Sequence, residues 1–206
     1  MPFEDYLKWS EEVPGWTRGA EARELAVLSF SLPADAVLVE IGSFLGSGTI
    51  LLAGPRRDRG SGSVHCVDSF NGAGDAFSVP YYQQILTQLG IGSLREHFER
   101  NISRYGLASW VQIHEGRADR IARTWTQAID LLFLDADQSP AGVWQIYHDW
   151  EPFLKNGGVI ALHNSEPTNR RIDHDGHRII VEEEVKKPKF RDIRLVTSTT
   201  FAVKVH

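Results

Sequence analysis

Three carboxylates, Glu40, Asp68 and Asp135, stand at or just beyond the ends of short apolar runs: Val37-Leu-Val-Glu40-Ile41, Val64-His-Cys-Val-Asp68 and Leu131-Leu-Phe-Leu-Asp135. Carboxylates placed so can draw in a cation, accept hydrogen bonds from hydroxyls or orient a reacting group. The first run leads straight into Gly42-Ser43-Phe44-Leu-Gly46-Ser-Gly48-Thr49. Glycines there let the main chain approach a ligand closely, and a helix starting behind them offers free N–H groups. Glu40, two residues before the first glycine, would repel a pyrophosphate and attract a cationic ligand group. Asp68 could take both hydroxyls of a ribose. Asp135-Ala-Asp137-Gln138 brings two carboxylates to one turn, with Asp135 the first candidate for orienting a reacting group and Asp137 its support. A further apolar run, Gly158–Leu162, ends in His163-Asn164. An imidazole with its ordinary pKa near 6.5 suits a general base.

The elements that must position these residues follow from the alternation of apolar runs and helical patterns. Strands are expected at Ala36–Ile41, Ser63–Val67, Trp110–His114, Asp130–Leu134, Gly158–Leu162, Ile193–Val196 and Thr200–Val205. Helices are expected at Arg18–Phe30, Gly48–Ala53, Tyr81–Leu89, Leu94–Tyr105, Ala118–Thr126, Ala141–Phe153 and Arg178–Lys187. Strand–helix alternation implies right-handed crossovers and a mainly parallel sheet with helices on both faces. The last two strands are too close in sequence for a crossover and must form an antiparallel hairpin. The fold class is therefore a doubly wound α/β sheet of seven strands. Residues 1–33 read as an N-terminal helical cap on the sheet or a lid over a pocket, one or two helices with Trp9 and Trp16 between them, and 34–206 as the ligand-binding domain.

Length and charge bound the function. At about 150 residues per domain, 206 residues leave little room beyond one full core. Twenty-two Lys and Arg against 27 Asp and Glu give a net charge of −5, which offers no footprint for nucleic acid or an anionic membrane. No run approaches the roughly 20 apolar residues of a bilayer crossing, and Met1–Ser10 lacks the basic-then-apolar order of a leader. The lone Cys66 fits a reducing, cytoplasmic compartment. A small-molecule partner is expected, with self-association of the chain left open.

The glycine spacing alone also suits a nicotinamide dinucleotide. Glu40 points instead to the cationic amino-acid part of S-adenosylmethionine, and no tyrosine is followed four residues later by the lysine that short-chain dehydrogenases need. From Ala36 to His206 the chain resembles the class I S-adenosylmethionine-dependent methyltransferases, and within them the small macrocin-type O-methyltransferases. The resemblance rests on Val-Glu-Ile-Gly-Ser-Phe-Leu-Gly-Ser-Gly-Thr, Val-Asp-Ser-Phe, Leu-Leu-Phe-Leu-Asp-Ala-Asp and Leu-Lys-Asn-Gly-Gly-Val-Ile-Ala-Leu-His-Asn, in that order. It implies a Rossmann-like fold and methylation of a small-molecule hydroxyl. It further implies that Gly42, Ser43, Phe44 and Gly46 contact the methionine part and Asp68 the ribose. Ser69 and Phe70 would flank the adenine, with Arg117 and Ala118 on its other edge.

Metal-dependent members of the resembled group would use Asp135, His163 and Asn164 to hold a divalent ion such as Mg2+. This chain departs from their pattern twice. Gln138 stands where they carry a histidine or lysine, and in the pair His163-Asn164 an imidazole and an amide replace the usual carboxylate. A binding protein without catalysis is the alternative those departures raise. Arg170–His177 reads as a solvated or substrate-covering loop, and Phe70–Gly92 as an insertion shaping an acceptor pocket or packing in a core. Arg56-Arg57-Asp58-Arg59 reads as an exposed loop, and Glu182–Glu184 with Lys186 and Lys187 as helical i, i+4 pairs.

Overall fold

The computed structural model describes residues 3–206, so Met1 and Pro2 of the expected cap lie outside the described residues. Seven strands, β1 (Val37–Ile41), β2 (Ser63–Asp68), β3 (Val111–Glu115), β4 (Ile129–Leu134), β5 (Leu154–Leu162), β6 (Phe190–Val196) and β7 (Thr199–Lys204), form one sheet in the order β3-β2-β1-β4-β5-β7-β6. The first five run parallel. The terminal hairpin is present, with β7 inserted antiparallel between β5 and β6. β5 starts at Leu154, before the expected Gly158, because its register against β4 shifts between Ile129 and Leu131 and Gly157, at φ 84°, lies in the extra length.

Helices α1 (Phe3–Glu11), α2 (Gly19–Ser31), α3 (Ser47–Arg59), α4 (Val79–Gln88), α5 (Leu94–Arg104), α6 (Ala118–Ala122), α7 (Pro140–Trp150) and α8 (Gly176–Glu183) complete the chain. Strand β4 shows how the layers divide. All six of its residues are buried. Leu131 and Phe133 pack with α2, α3 and α5, while Leu132 and Leu134 pack with α7 and α8 on the other face, as strand alternation requires. Trp9 lies within α1 and stacks on Tyr105 at 5.0 Å, so only Trp16 stands between the first two helices.

Two charge readings change. Arg56 is not in a loop, because α3 continues through Pro55 to Arg59. Its fully buried guanidinium donates to the carbonyls of Ser29, Leu32, Pro33, Ala34 and Ser61 at 2.6–3.3 Å, closing the end of α2 and the turn into β1. Arg56→Ala strands those carbonyls at 1–3 kcal/mol each where water does not reach. We expect a loss of about 3 kcal/mol or more, read by urea denaturation. The second change concerns α8, which ends at Glu183, before the lysines. Glu182 pairs with Arg178 at 2.5 Å instead.

Candidate active site

The sheet register brings the sequence-selected residues to one edge. Ile41 lies beside Val67 and Leu134, and Leu134 beside Leu162. The next N–H groups continue the ladder: Gly42 donates to Val67, Asp135 to Ile41 and His163 to Leu134, at 2.9–3.1 Å. The glycine turn, Asp68, Asp135 and His163 therefore leave the carboxyl ends of adjacent strands, where open α/β sheets bind ligands. Gly42 is required by close approach, since at φ 93° a Cβ would lie 2.4 Å from the Asp135 carbonyl.

Asp68 moulds the glycine turn. Its Oδ2 accepts the N–H groups of Ser43 and Phe44, each at 2.8 Å, and its Oδ1 that of Phe70 at 2.7 Å. Phe44 and Phe70 both have positive φ, 46° and 49°, a conformation that needs such support in non-glycine residues. Glu40 lies beneath the same turn, 1% exposed, and its Oε2 accepts the Ser43 and Thr49 hydroxyls. Gly48 leaves the space Glu40 occupies, since a Cβ there would sit 2.4 Å from Oε1. Burial, with the charge of Asp135 adding to it, raises the Glu40 carboxyl to about 7 against the pull of those hydroxyls.

At the neighbouring strand ends a buried imidazole lies between two carboxylates. His163 Nδ1 is 2.7 Å from Asp135 Oδ1, and Nε2 is 3.6 Å from Glu21 Oε1 on α2. Glu21 is held in turn by the Ser198 N–H and the Ser198 and Thr199 hydroxyls at 2.7–3.0 Å. Burial opposes charge on His163, but Asp135 and then Glu21 outweigh it and raise the ring to about 10. Burial likewise opposes charge on Glu21, and His163 with Ser198 brings it down to about 2. Stabilisation from the raised histidine is thus present below its unfolded pKa and lost as pH rises through about 10.

This geometry corrects two expectations for His163. With both ring nitrogens turned to carboxylates and protonated, it has no lone pair with which to accept a proton near neutral pH. The same charge makes the set unfit for a divalent ion, because an imidazolium cannot ligate a metal and repels one. Among the described residues no cluster of three His, Cys, Asp or Glu side chains is arranged to hold a metal. Asn164, at φ 53°, lines the cavity beside His163. Asp137 also lines it, and its Oδ1 accepts the Ser139 N–H at 2.9 Å at the entry to α7.

A cavity of about 730 Å³ opens above this edge, lined by Glu40, Gly42, Ser43, Phe44, Asp68, Ser69, Arg117, Ala118 and Asp135 among others. That volume falls in the range of small-molecule sites. Gly46 and Phe70 do not line it. Gly46 caps α3 against Phe98 and Ile102, and the Phe70 ring turns into the core, 5.2 Å from Phe98. Trp16 from the N-terminal segment, Tyr82 from the Phe70–Gly92 insertion and His174 from the Arg170–His177 loop also line it, none of them singled out individually by the sequence. Trp16, Phe44 and Tyr82 form one aromatic group with centroids 5.0–5.6 Å apart. The Arg170–His177 loop is not wholly solvated, since His174 and His177 are 4% and 2% exposed. Their Nδ1 atoms address Asp75 and the His163 carbonyl separately.

Comparison with known proteins places this edge in context. The family described as "Methyltransferase domain" matches residues 39–165, more than half of the chain. The fold is similar to that of cofactor-bound Rv0187 from MTB (18% identity, 99% of this chain and 90% of that one, TM-score 0.69). It is also similar to the O-methyltransferase TomG from Streptomyces achromogenes, involved in tomaymycin synthesis and solved in complex with SAM (18%, 99% and 89%, 0.65). The O-methyltransferase NovP matches with a TM-score of 0.64 at 18% identity, over 99% of this chain and 79% of that one.

Proposed function

Because the chain belongs to the methyltransferase domain family, we propose that it transfers the methyl group of S-adenosylmethionine to a hydroxyl of a small molecule, without a divalent metal. The observation that carries this reading is the meeting, in one cavity, of a buried carboxylate under a glycine turn and an accessible one beside it, Glu40 and Asp135. Glu40 would recognise the donor's cationic amino-acid end, with Gly42, Ser43 and Phe44 around it. Asp68 would meet the ribose, and Ser69, Arg117 and Ala118 the adenine. When bound, the sulfonium supplies an electrophilic methyl group. Asp135 would then orient the acceptor hydroxyl in line with it, since its Oδ2 takes no hydrogen bond among the described residues. Residues 1–33 would act as a cap on the domain at 34–206, closing the donor end through Trp16. The buried thiol of Cys66 suits a cytoplasmic setting.

The test is calorimetric titration with S-adenosylmethionine and S-adenosylhomocysteine, followed by transfer of a radiolabelled methyl group to a panel of phenols and sugars. A cation on Glu40 favours its ionised form. Below about 7, binding must therefore expel a proton, so affinity should rise roughly 20-fold between pH 5.5 and 7.5. The Glu40→Gln variant should lose that dependence. Absence of binding by either compound would remove the reading. Binding without turnover would favour a non-catalytic binder, the reading that Gln138 raises.

A further inference from the structure

Resting on the methyl-transfer reading, we propose that His174, oriented by Asp75, is the catalytic base that takes the proton from the acceptor hydroxyl. The strand-end residues leave this task open. Gln138 is neither acid nor base, His163 has both nitrogens turned to carboxylates, and Asp135 is engaged through Oδ1 by His163. The protein brings a second histidine to the same cavity from a different element.

His174 lies between β5 and α8, and its Nδ1 is 3.1 Å from Asp75 Oδ1. Asp75, from the segment between β2 and α4, has a fully buried side chain that also accepts the N–H groups of Phe77, Ser78 and Gln138 at 2.9–3.3 Å. Every one of these partners donates, so Asp75 is an ionised acceptor and Nδ1 must carry the proton. In the neutral ring the lone pair then sits on Nε2. Nε2 takes no hydrogen bond among the described residues, and His174 lines the cavity. The ring is fixed by Phe77, centroid 4.5 Å away, and the loop by Asn169, whose amide donates to the carbonyls of His174 and Asn164. An aspartate on one nitrogen and an unpartnered second nitrogen is the arrangement by which a carboxylate sets a histidine's tautomer for proton transfer.

Gln138 connects this pair to Asp135. Its N–H reaches Asp75 and its side-chain amide lies 3.5 Å from Asp135 Oδ1, so dyad and orienting carboxylate flank one residue. The charged and titratable groups packed around His174 are Asp75, His177 on α8, the His163 cation beyond it, and Arg171 stacked over Phe77 at 5.2 Å. As methyl transfer proceeds, the acceptor oxygen bonds the methyl carbon, the carbon–sulfur pair returns to sulfur, and the hydroxyl proton moves to Nε2. The ring gives that proton to water once product leaves.

The decisive variant is His174→Asn. Its amide can reach Asp75 from the place of Nδ1, preserving the latch, but offers nothing at the place of Nε2. His174→Ala with added imidazole is the companion. Both are first titrated with S-adenosylhomocysteine, then assayed on whichever phenol or sugar the wild type methylates. The expected result is unchanged S-adenosylhomocysteine affinity and KM, with kcat of His174→Asn lower by about 10²–10³-fold. The acidic limb of the wild-type kcat profile should disappear, and imidazole should restore His174→Ala. A kcat within threefold of wild type with the same pH profile would overturn the proposal. So would a loss that arises through cofactor binding or melting temperature without imidazole rescue, which would make the pair a latch only. If the wild type binds S-adenosylhomocysteine but methylates nothing on the panel, the dyad's catalytic role falls too. Failure of the wild type to bind overturns the methyl-transfer reading itself.

Discussion

Asp135→Ala is expected to lower kcat by about 10³-fold while changing S-adenosylhomocysteine affinity by less than about threefold. The separation follows from which atoms do what. The main chain at position 135 is part of the sheet ladder and packs under Gly42, and alanine leaves that contact in place. The side chain lines the cavity, with Oδ1 on His163 and Oδ2 taking no hydrogen bond among the described residues. Its removal would take from the acceptor the orienting group proposed for it and leave His163 with Glu21 as its one close carboxylate. The ring's pKa then falls, so Asp135→Ala should also bring a histidine titration toward neutrality, visible by NMR. Steady-state kinetics and calorimetry on the same preparation check both halves. Equal losses in affinity and kcat would place Asp135 in donor binding instead.

The Asp68→Ala variant should fail at the opposite step, with S-adenosylhomocysteine affinity falling by about 10²-fold or more and folding stability by about 2–3 kcal/mol. Three main-chain N–H groups converge on this carboxylate, two of them from non-glycine residues at positive φ. Without it the glycine turn loses the acceptors that shape it before any ligand arrives. Asp68→Asn is the sharper comparison. An amide must point its NH₂ at one set of these donors, so near-isosteric replacement should recover little of the loss. Urea denaturation and calorimetry separate the folding cost from the binding cost.

Much of this edge was legible in the sequence because it is built from short-range patterns. Apolar runs that end in an acid place that acid at a strand tip, and a glycine turn behind the first run marks where main chain approaches ligand. The places of Glu40, Asp68, Asp135 and His163 follow from that logic. The sequence could not show what each would touch. His163 lies far along the chain from Glu21, and nothing local announces that the two meet; the imidazole read as a base is the centre of an ion trio. Phe70 followed a strand tip as a ligand-facing ring would, yet positive φ turns it into the core. Arg56 sat among like charges that suggested solvent, but its helix runs on and carries it beneath the end of α2. His174 and Asp75 come from two loops whose meeting only the fold decides.

The link from Glu21 to His163 bears on how this protein can be dissected. Every recognisable motif lies after residue 36, so trimming the chain to its motif-bearing part looks harmless on paper. Such a fragment would keep its signature sequences and forfeit one of the two carboxylates that hold the buried cation. The helix with no motif of its own reaches the candidate site as directly as the strand tips do.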